Sequence, residues 1–235
     1  MSKILIIADL HLTYVEGEKL DLFCQFCQTE ATNADQLFIL GDLFNTWIGD
    51  DISLPDYHVA INCLKELTKS TTVFVMIGNR DFLLGKKFEQ LSGCKLINEP
   101  HLLNHNDKDY VLVHGDDLCS DDIDYQKMKK VLRNRLVQLL FLSLPKKWRL
   151  KLSGEIRKKS VEAQSYKSEA IMDVNQRAVD ALMARYPGAN LIHGHTHRQD
   201  THSSKTYTRH VLGDWSTTSG NAIALGETLE RLEIH

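Results

Sequence analysis

Five short apolar runs in this chain each stop at a side chain able to ligate a metal ion, and few architectures produce that repetition. Ile4–Ala8 leads into Asp9-Leu10-His11, Leu37–Leu40 into Gly41-Asp42, and Val73–Ile77 into Gly78-Asn79-Arg80-Asp81. Val111–Val113 leads into His114-Gly115-Asp116, and Leu191-Ile192 into His193-Gly194-His195-Thr196-His197. Runs this short, rich in β-branched residues or leucine and closed by polar or glycine-bearing turns, read as buried strands. In open α/β sheets ligands gather in the crevice beyond the carboxyl ends of the strands, so the five blocks point to one site. Asp, His and Asn together suit Mn, Fe or Zn, whereas Ca and Mg prefer oxygen alone. Glycine before Asp42, Asn79 and His195 lets the chain turn tightly beside an ion. Any one of these residues alone reads as a cap or a turn; seven in strand-end positions do not.

Helical patterns near Leu20–Glu30 and His58–Lys69 separate the first three strands, an alternation that implies strands sandwiched between helices. From Asp121 to about Arg185 the strand signal disappears and helices are predicted, with Pro145 in a helix first turn and Pro187-Gly188 as a stop. Strand signals return at Asn190–Ile192, Tyr207–Leu212 and Ala222–Leu225. The expected fold is therefore α/β: a layered β-sheet core flanked by helices. Residues 1–235 form one domain in this reading, with a helical cap inserted at about 121–170, and that length suffices for a proper core.

Hydrophobic residues make up 43% and charged residues 25%, which excludes a disordered or low-complexity chain. The N-terminal apolar stretch is too short for a signal-peptide core, and Leu136–Leu144 is too short to span a bilayer. A cytoplasmic location is expected. Five cysteines, odd in number and scattered, argue against a disulfide framework. Cys24 and Cys27 form a CxxC, but with Phe23 and Phe26 between and before them they read as helical core packing.

The ordered blocks Asp-x-His, Gly-Asp, Gly-Asn-x-Asp, His and Gly-His-x-His resemble the signature of calcineurin-like metallophosphoesterases, from Asp9 to His197. The resemblance implies that Asp9, His11, Asp42 and His197 hold one metal, and that Asn79, His114, His195 and a shared Asp42 hold the second. Two Mn²⁺ ions are expected, with Fe or Zn able to replace them, and a hydroxide activated by the pair as nucleophile. His58, His101, His105, His193, His202, His210 and His235 match no block and read as structural or surface residues.

One position departs from the usual pattern. Most such enzymes carry histidine after the Gly-Asn of the third block, as proton donor to a departing alkoxide; here it is Arg80. Arginine stays protonated and cannot act as a general acid. It can grip a leaving phosphate with two N–H groups, so the substitution points to an anhydride as substrate. The bland reading pairs Arg80 with Asp81 instead.

Net charge is only −3, but Gln126–Ser160 holds 12 Lys and Arg against one acid. Met128, Val131, Leu132, Leu136, Leu139 and Leu140 recur there at helical spacing, among Lys127, Lys129, Lys130, Arg133 and Arg135, with Lys146, Lys147, Trp148, Arg149 and Lys151 following. A basic amphipathic helix suits an anionic membrane surface; the competing reading packs the stripe on the core. Phe141 and Trp148 are too few for base stacking, so no nucleic-acid partner is expected. With no heptad seam, a monomer is. The third block, the Gly115-Asp116-Asp117-Leu118-Cys119 run and this cap resemble family members that cleave a UDP-linked diacylated sugar lipid. That resemblance implies a peripheral enzyme on the inner membrane's cytoplasmic face. It also implies substrate contacts at Asn79, Arg80, Asp122, Ser160, Gln164, Lys167 and His195, to which Tyr125 and Arg157 are added as sugar or phosphate contacts. Soluble nucleotide pyrophosphatases, and scaffolds that have lost the metal, are the alternatives; the intact set of seven ligands argues against the second.

Overall fold

The computed structural model describes residues 2–14, 17–165 and 173–235, without the side chains of 159–161 and 163–165. Two sheets face each other. The first orders β11 (Leu229–Ile234), β10 (Gly220–Leu225), β1 (Ile4–Ile7), β2 (Gln36–Leu40), β3 (Thr72–Met76) and β4 (Lys95–Ile97). The second orders β5 (His101–His105), β6 (Lys108–Val113), β7 (Asn190–His193), β9 (Thr208–Val211) and β8 (Asp200–Ser203). β1 to β4 run parallel, as do β6, β7 and β9.

Side-chain alternation explains why these strands are apolar throughout. Ile4, Ile6 and Ala8 of β1 and its exit, with Phe38 and Leu40 of β2, point into the seam between the sheets and meet Leu112 and Ile192. Leu5, Ile7, Leu37, Ile39, Val73 and Val75 point the other way. There they pack on Phe23 and Phe26 of α1 (Glu18–Gln28), Leu64 of α3 (His58–Leu67) and Phe88 of α4 (Lys86–Ser92). Val111 and Leu191 cover the outer face of the second sheet against Val179 and Met183 of α8 (Gln176–Met183). Strands buried on both faces carry apolar residues at every position.

The cap comprises α5 (Ile123–Leu132), α6 (Arg135–Ser143) and α7 (Lys146–Ser165), between β6 and α8. The expected single amphipathic stripe is broken in two. Asn134 caps a new helix, its side-chain oxygen accepting from the backbone of Leu136 and Val137. Nor does the stripe pack on the core: Val131, Leu136, Leu139 and Leu140 are 57–70% exposed. A second correction concerns the charges. Lys129 and Arg149 are buried, at 8% and 3% exposure: Lys129 meets the buried carboxylate of Asp116, and Arg149 donates to the Ile48 carbonyl and to the exposed carboxylate of Asp51. A third concerns the cysteines. Cys24 of α1 is disulfide-bonded to Cys63 of α3, 39 residues away, while Cys27, Cys94 and Cys119 are free and buried. Spacing along the chain did not show that α1 and α3 lie side by side. Among the described residues no helix is long and apolar enough to cross a membrane.

Candidate metal centre

The loops leaving β1, β2, β3, β6 and β7 meet where the strands of both sheets end. The first two are laced by backbone: His11 donates to the Asp42 carbonyl at 2.8 Å and Asp9 to that of Gly41 at 3.2 Å. All seven expected ligands gather around this point. His11 Nε2 and His197 Nε2 are 3.1 Å apart, and His197 Nε2 is 3.6 Å from Asp9 Oδ1. Asn79 Oδ1 lies 3.0 Å from His114 Nε2 and 3.1 Å from His195 Nδ1. Asp42 stands between, with Oδ2 3.7 Å from His11 and Oδ1 3.9 Å from His114. Asp9, His11 and His197 offer one donor atom each within 4.8 Å of one another, and so do Asp9, Asp42 and His114. By proximity Asp9 belongs to both groups, whereas the resemblance gave that position to Asp42; the opposed oxygens of Asp42 suit a bridge equally well.

The local backbone is held in a costly shape. Asp9, His11, Asp42, His195 and His197 all have positive φ, between 49° and 69°, a region non-glycine residues seldom adopt. Two glycines make room for them. A Cβ on Gly78 would stand 2.1 Å from Asp42 Oδ1, and one on Gly194 would stand 2.3 Å from Asp9 Oδ2.

Electrostatics point to a cation. Asp9 and Asp42 are 0% and 2% exposed, and Asp9 Oδ1 and His11 Nδ1 are buried without a hydrogen-bond partner. Burial, together with Asp81 and Asp9 nearby, pushes the Asp42 carboxyl up to about 7. Burial and Arg80 push His11 down to about 3, and burial with His114 does the same to His195. Burial opposes a charge on His114, yet Asp42, Asp116, Asp9 and Glu99 together raise it to about 9. Paired buried carboxylates beside imidazoles form a donor set that a divalent ion completes. Asp9, His11, Asp42, Asn79, His114, His195 and His197 therefore fit a pair of such ions.

Behind the ligands lies a layer that sequence reasoning did not assign. Buried Asp81 accepts from the N–H groups of Gly78 and Phe44 at 2.7 and 3.3 Å and so shapes the third block. Asp116, also fully buried, is 2.8 Å from Lys129 Nζ and 3.2 Å from Arg133 Nη2, and accepts from the Tyr125 hydroxyl at 2.8 Å. Arg133 further donates to the Gly78 carbonyl at 3.2 Å and to Glu99 at 3.0 Å, while Glu99 accepts from the His114 N–H at 2.9 Å. The end of α5 thus clasps two ligand loops at once. Glu99, Asp116 and Asp117 lie close enough to suggest a metal site, but Lys129 and Arg133 already supply the positive charge. The one available signal was the periodicity of Lys129 and Arg133 along α5, four residues apart and on one face.

Of the expected substrate contacts, Asn79, Arg80 and His195 line the centre. Arg80 does not pair with Asp81. Its Nε is 3.6 Å from Asp42 Oδ2, and its Nη1 donates to Asn45 Oδ1 at 3.2 Å. Arg157 reaches the same Asn45 oxygen at 2.8 Å. The Tyr125 ring lies 6.1 Å from that of His195. Asp122 caps α5, accepting from the Tyr125 N–H at 3.1 Å, as its place in an acidic cluster before a helix allows. Lys167 and the side chains of Ser160 and Gln164 lie outside the described residues.

The fold and the site define a metallophosphoesterase. The calcineurin-like phosphoesterase model matches residues 2–199, and the chain belongs to that family. It is 42% identical over 221 residues to the UDP-2,3-diacylglucosamine hydrolase of Histophilus somni strain 2336, spanning 93% of this chain and 94% of that protein. It is 44% identical over 216 residues to the enzyme of the same name from Yersinia pestis bv. Antiqua strain Angola, spanning 90% of each. Among solved structures, an archaeal phosphodiesterase aligns over 99% of this chain and 98% of its own, at 14% identity and a TM-score of 0.49.

Proposed function

We propose that this chain hydrolyses the pyrophosphate bond of UDP-2,3-diacylglucosamine to UMP and 2,3-diacylglucosamine 1-phosphate, a step of lipid A biosynthesis. The observation that carries the reading is the placing of Arg80, a fixed cation where an alkoxide leaving group would need an acid, beside a cap whose leucines face outward.

Asp9, His11, Asp42 and His197 would hold one ion and Asn79, His114, His195 and Asp42 the other, with Mn²⁺ the expected metal. Bound there, such ions supply neutralisation of phosphoryl oxygens and activation of the attacking water. The chain's own residues do the rest. Water adds to the UMP-side phosphorus, and the bridging oxygen departs with the sugar phosphate. That leaving group is a phosphate monoester with a second pKa of about 6, so it needs no proton at neutral pH. Arg80 and Arg157 bind it and neutralise its growing charge. The Asn79 amide, held between His114 and His195, sits where the reacting phosphate must come.

The cap would receive the acyl chains and rest on the bilayer. Exposed Val131, Leu136, Leu139 and Leu140 stand among exposed Lys127, Lys130, Arg135, Lys146, Lys147 and Lys151. At about 1 kcal/mol per basic residue near an anionic surface, these support reversible adhesion of a monomeric peripheral enzyme. Residues 121–170 are best regarded as an insertion within one domain, and no nucleic-acid partner is proposed.

The test is hydrolysis of UDP-2,3-diacylglucosamine with Mn²⁺, products identified by mass spectrometry, beside UDP-N-acetylglucosamine and an Asn79→Ala variant. UMP released from the lipid alone, and lost in the variant, supports the proposal. Equal cleavage of the short sugar nucleotide would instead favour a soluble nucleotide pyrophosphatase.

A further inference from the structure

We infer that Asn45 is a positioning residue whose side-chain oxygen holds Arg80 and Arg157 together as one anion clamp. The inference rests on the proposed role of those arginines, and concerns a residue that no strand-end block contains.

Asn45 lies three residues past Asp42, and its backbone cannot drift. Its N–H donates to the Leu12 carbonyl at 2.8 Å, next to the bridge between Leu12 and Phe44. Its neighbour Trp47 donates to the Arg80 carbonyl at 3.1 Å, and the Arg80 N–H donates to Asp42 Oδ1 at 2.9 Å. The loops after β2 and β3 are thus stitched together before any side chain is considered.

On that base Asn45 Oδ1 accepts from Arg80 Nη1 at 3.2 Å and from Arg157 Nη2 at 2.8 Å. Arg157 Nη1 also donates to the Asn45 carbonyl at 3.3 Å and to Thr46 Oγ1. The two guanidinium groups come from unrelated elements, one from a core loop and one from α7 of the cap. Like charges repel, and burial together with Arg80 lowers the proton affinity of Arg157. Two cations stay adjacent only where a shared acceptor holds them. The amide oxygen takes one N–H from each; Arg157 Nη1 is turned to the Asn45 carbonyl and Thr46, and the N–H groups not so engaged are left for a ligand. Guanidinium groups recognise a phosphate through parallel charge-assisted hydrogen bonds. Asn45 touches no reacting atom; it acts through the arginines.

Inorganic phosphate binding to Mn²⁺-loaded protein, by calorimetry, reads the clamp whatever the organic substrate. Asn45→Ala should weaken it about tenfold, since a hydrogen bond to a charged group is worth about 1.5–3 kcal/mol. Asn45→Asp, which keeps an acceptor at the same reach, should stay within about threefold of wild type. Arg157→Gln, which removes one arm of the clamp, should weaken phosphate binding at least as much as Asn45→Ala, and the two losses should be less than additive in the double variant, because Asn45 acts partly through Arg157. In turnover of UDP-2,3-diacylglucosamine, Asn45→Ala should raise KM and also lower kcat, because the arginines it holds meet the leaving group's growing charge, with an unaltered melting temperature. Wild-type phosphate affinity in Asn45→Ala, with a loss in Arg157→Gln, would overturn the inference and leave the arginines' role standing. Unchanged affinity in Arg157→Gln as well would overturn both. Equal losses in the Ala and Asp variants with lowered melting temperatures would reduce Asn45 to a structural residue.

Discussion

His11 Nε2 and His197 Nε2 approach to 3.1 Å although 186 residues separate them in the chain. A hydrogen bond between the two rings spans that gap. With a divalent cation both lone pairs turn to the ion instead, at about 2.0–2.1 Å for zinc. Wild-type protein should therefore carry about two divalent ions per chain by elemental analysis, and His197→Ala about one. Dialysis against EDTA should abolish phosphoesterase activity and lower the melting temperature, and Mn²⁺ should restore both. Full activity after chelation would remove the metal assignment.

Gly78 offers a sharper probe of the same centre. An added Cβ would overlap Asp42 Oδ1, so Gly78→Ala must displace the carboxylate that both metal groups approach. A displacement of about 1 Å near the reacting atoms costs about a hundredfold in rate. Gly226→Ala, where a Cβ meets nothing within 4 Å, should behave as wild type. Equal kcat in the two variants would contradict the close approach described here.

Arg133 should matter to both stability and chemistry. Arg133→Met leaves buried Asp116 with Lys129 but frees Glu99 and the Gly78 carbonyl. Breaking one arm of a buried ion network costs about 3–5 kcal/mol as an upper range, and Arg133 is partly exposed, so a smaller loss is expected. Denaturant melts should show it, and calorimetry should show weakened Mn²⁺ binding, because His114 is anchored through Glu99. Normal metal affinity in a destabilised variant would limit Arg133 to a structural part.

Acid should weaken the fold through two buried histidines outside the ligand set. Burial and Arg231 push His210 from 6.5 to about 4, and burial with Arg209 does the same to His193. Both imidazoles stay neutral when folded and take up protons when unfolded. The contribution of these two imidazoles is thus intact above pH 6.5 and declines as pH falls towards 4, by about 1.4 kcal/mol per pH unit for each proton. Chelated His210→Gln should show a shallower decline over that window; an identical slope would contradict the assignment.

The strand ends were legible because burial on both faces makes a strand apolar throughout and its exit abrupt. Thus β1, β2, β3, β6 and β7, and the polar residue after each, stood out. β8, with Asp200, Thr201, His202 and Ser203 all exposed, carries no apolar signal. β4 is only three residues long and equally mute. Cap charges misled for another reason. Lys129 and Arg149 share the composition of their exposed neighbours, and only the folded groups around them, Asp116 for Lys129 and the Ile48 carbonyl with Asp51 for Arg149, tell them apart. Asn45 was silent because an amide three residues beyond a ligand looks like any loop residue until Arg157 arrives from the cap, 112 residues later.

Ownership of the ligands is divided between the sheets. Asp9, His11, Asp42 and Asn79 leave the first, while His114, His195 and His197 leave the second. In the proposed assignment neither leaf carries a complete set for either ion. On that assignment a chain that had formed only its amino-terminal half would lack ligands for both ions, and the power to break phosphate bonds would arise only when the two leaves shut. The hydrolase is in that sense its own safety catch, armed by folding itself.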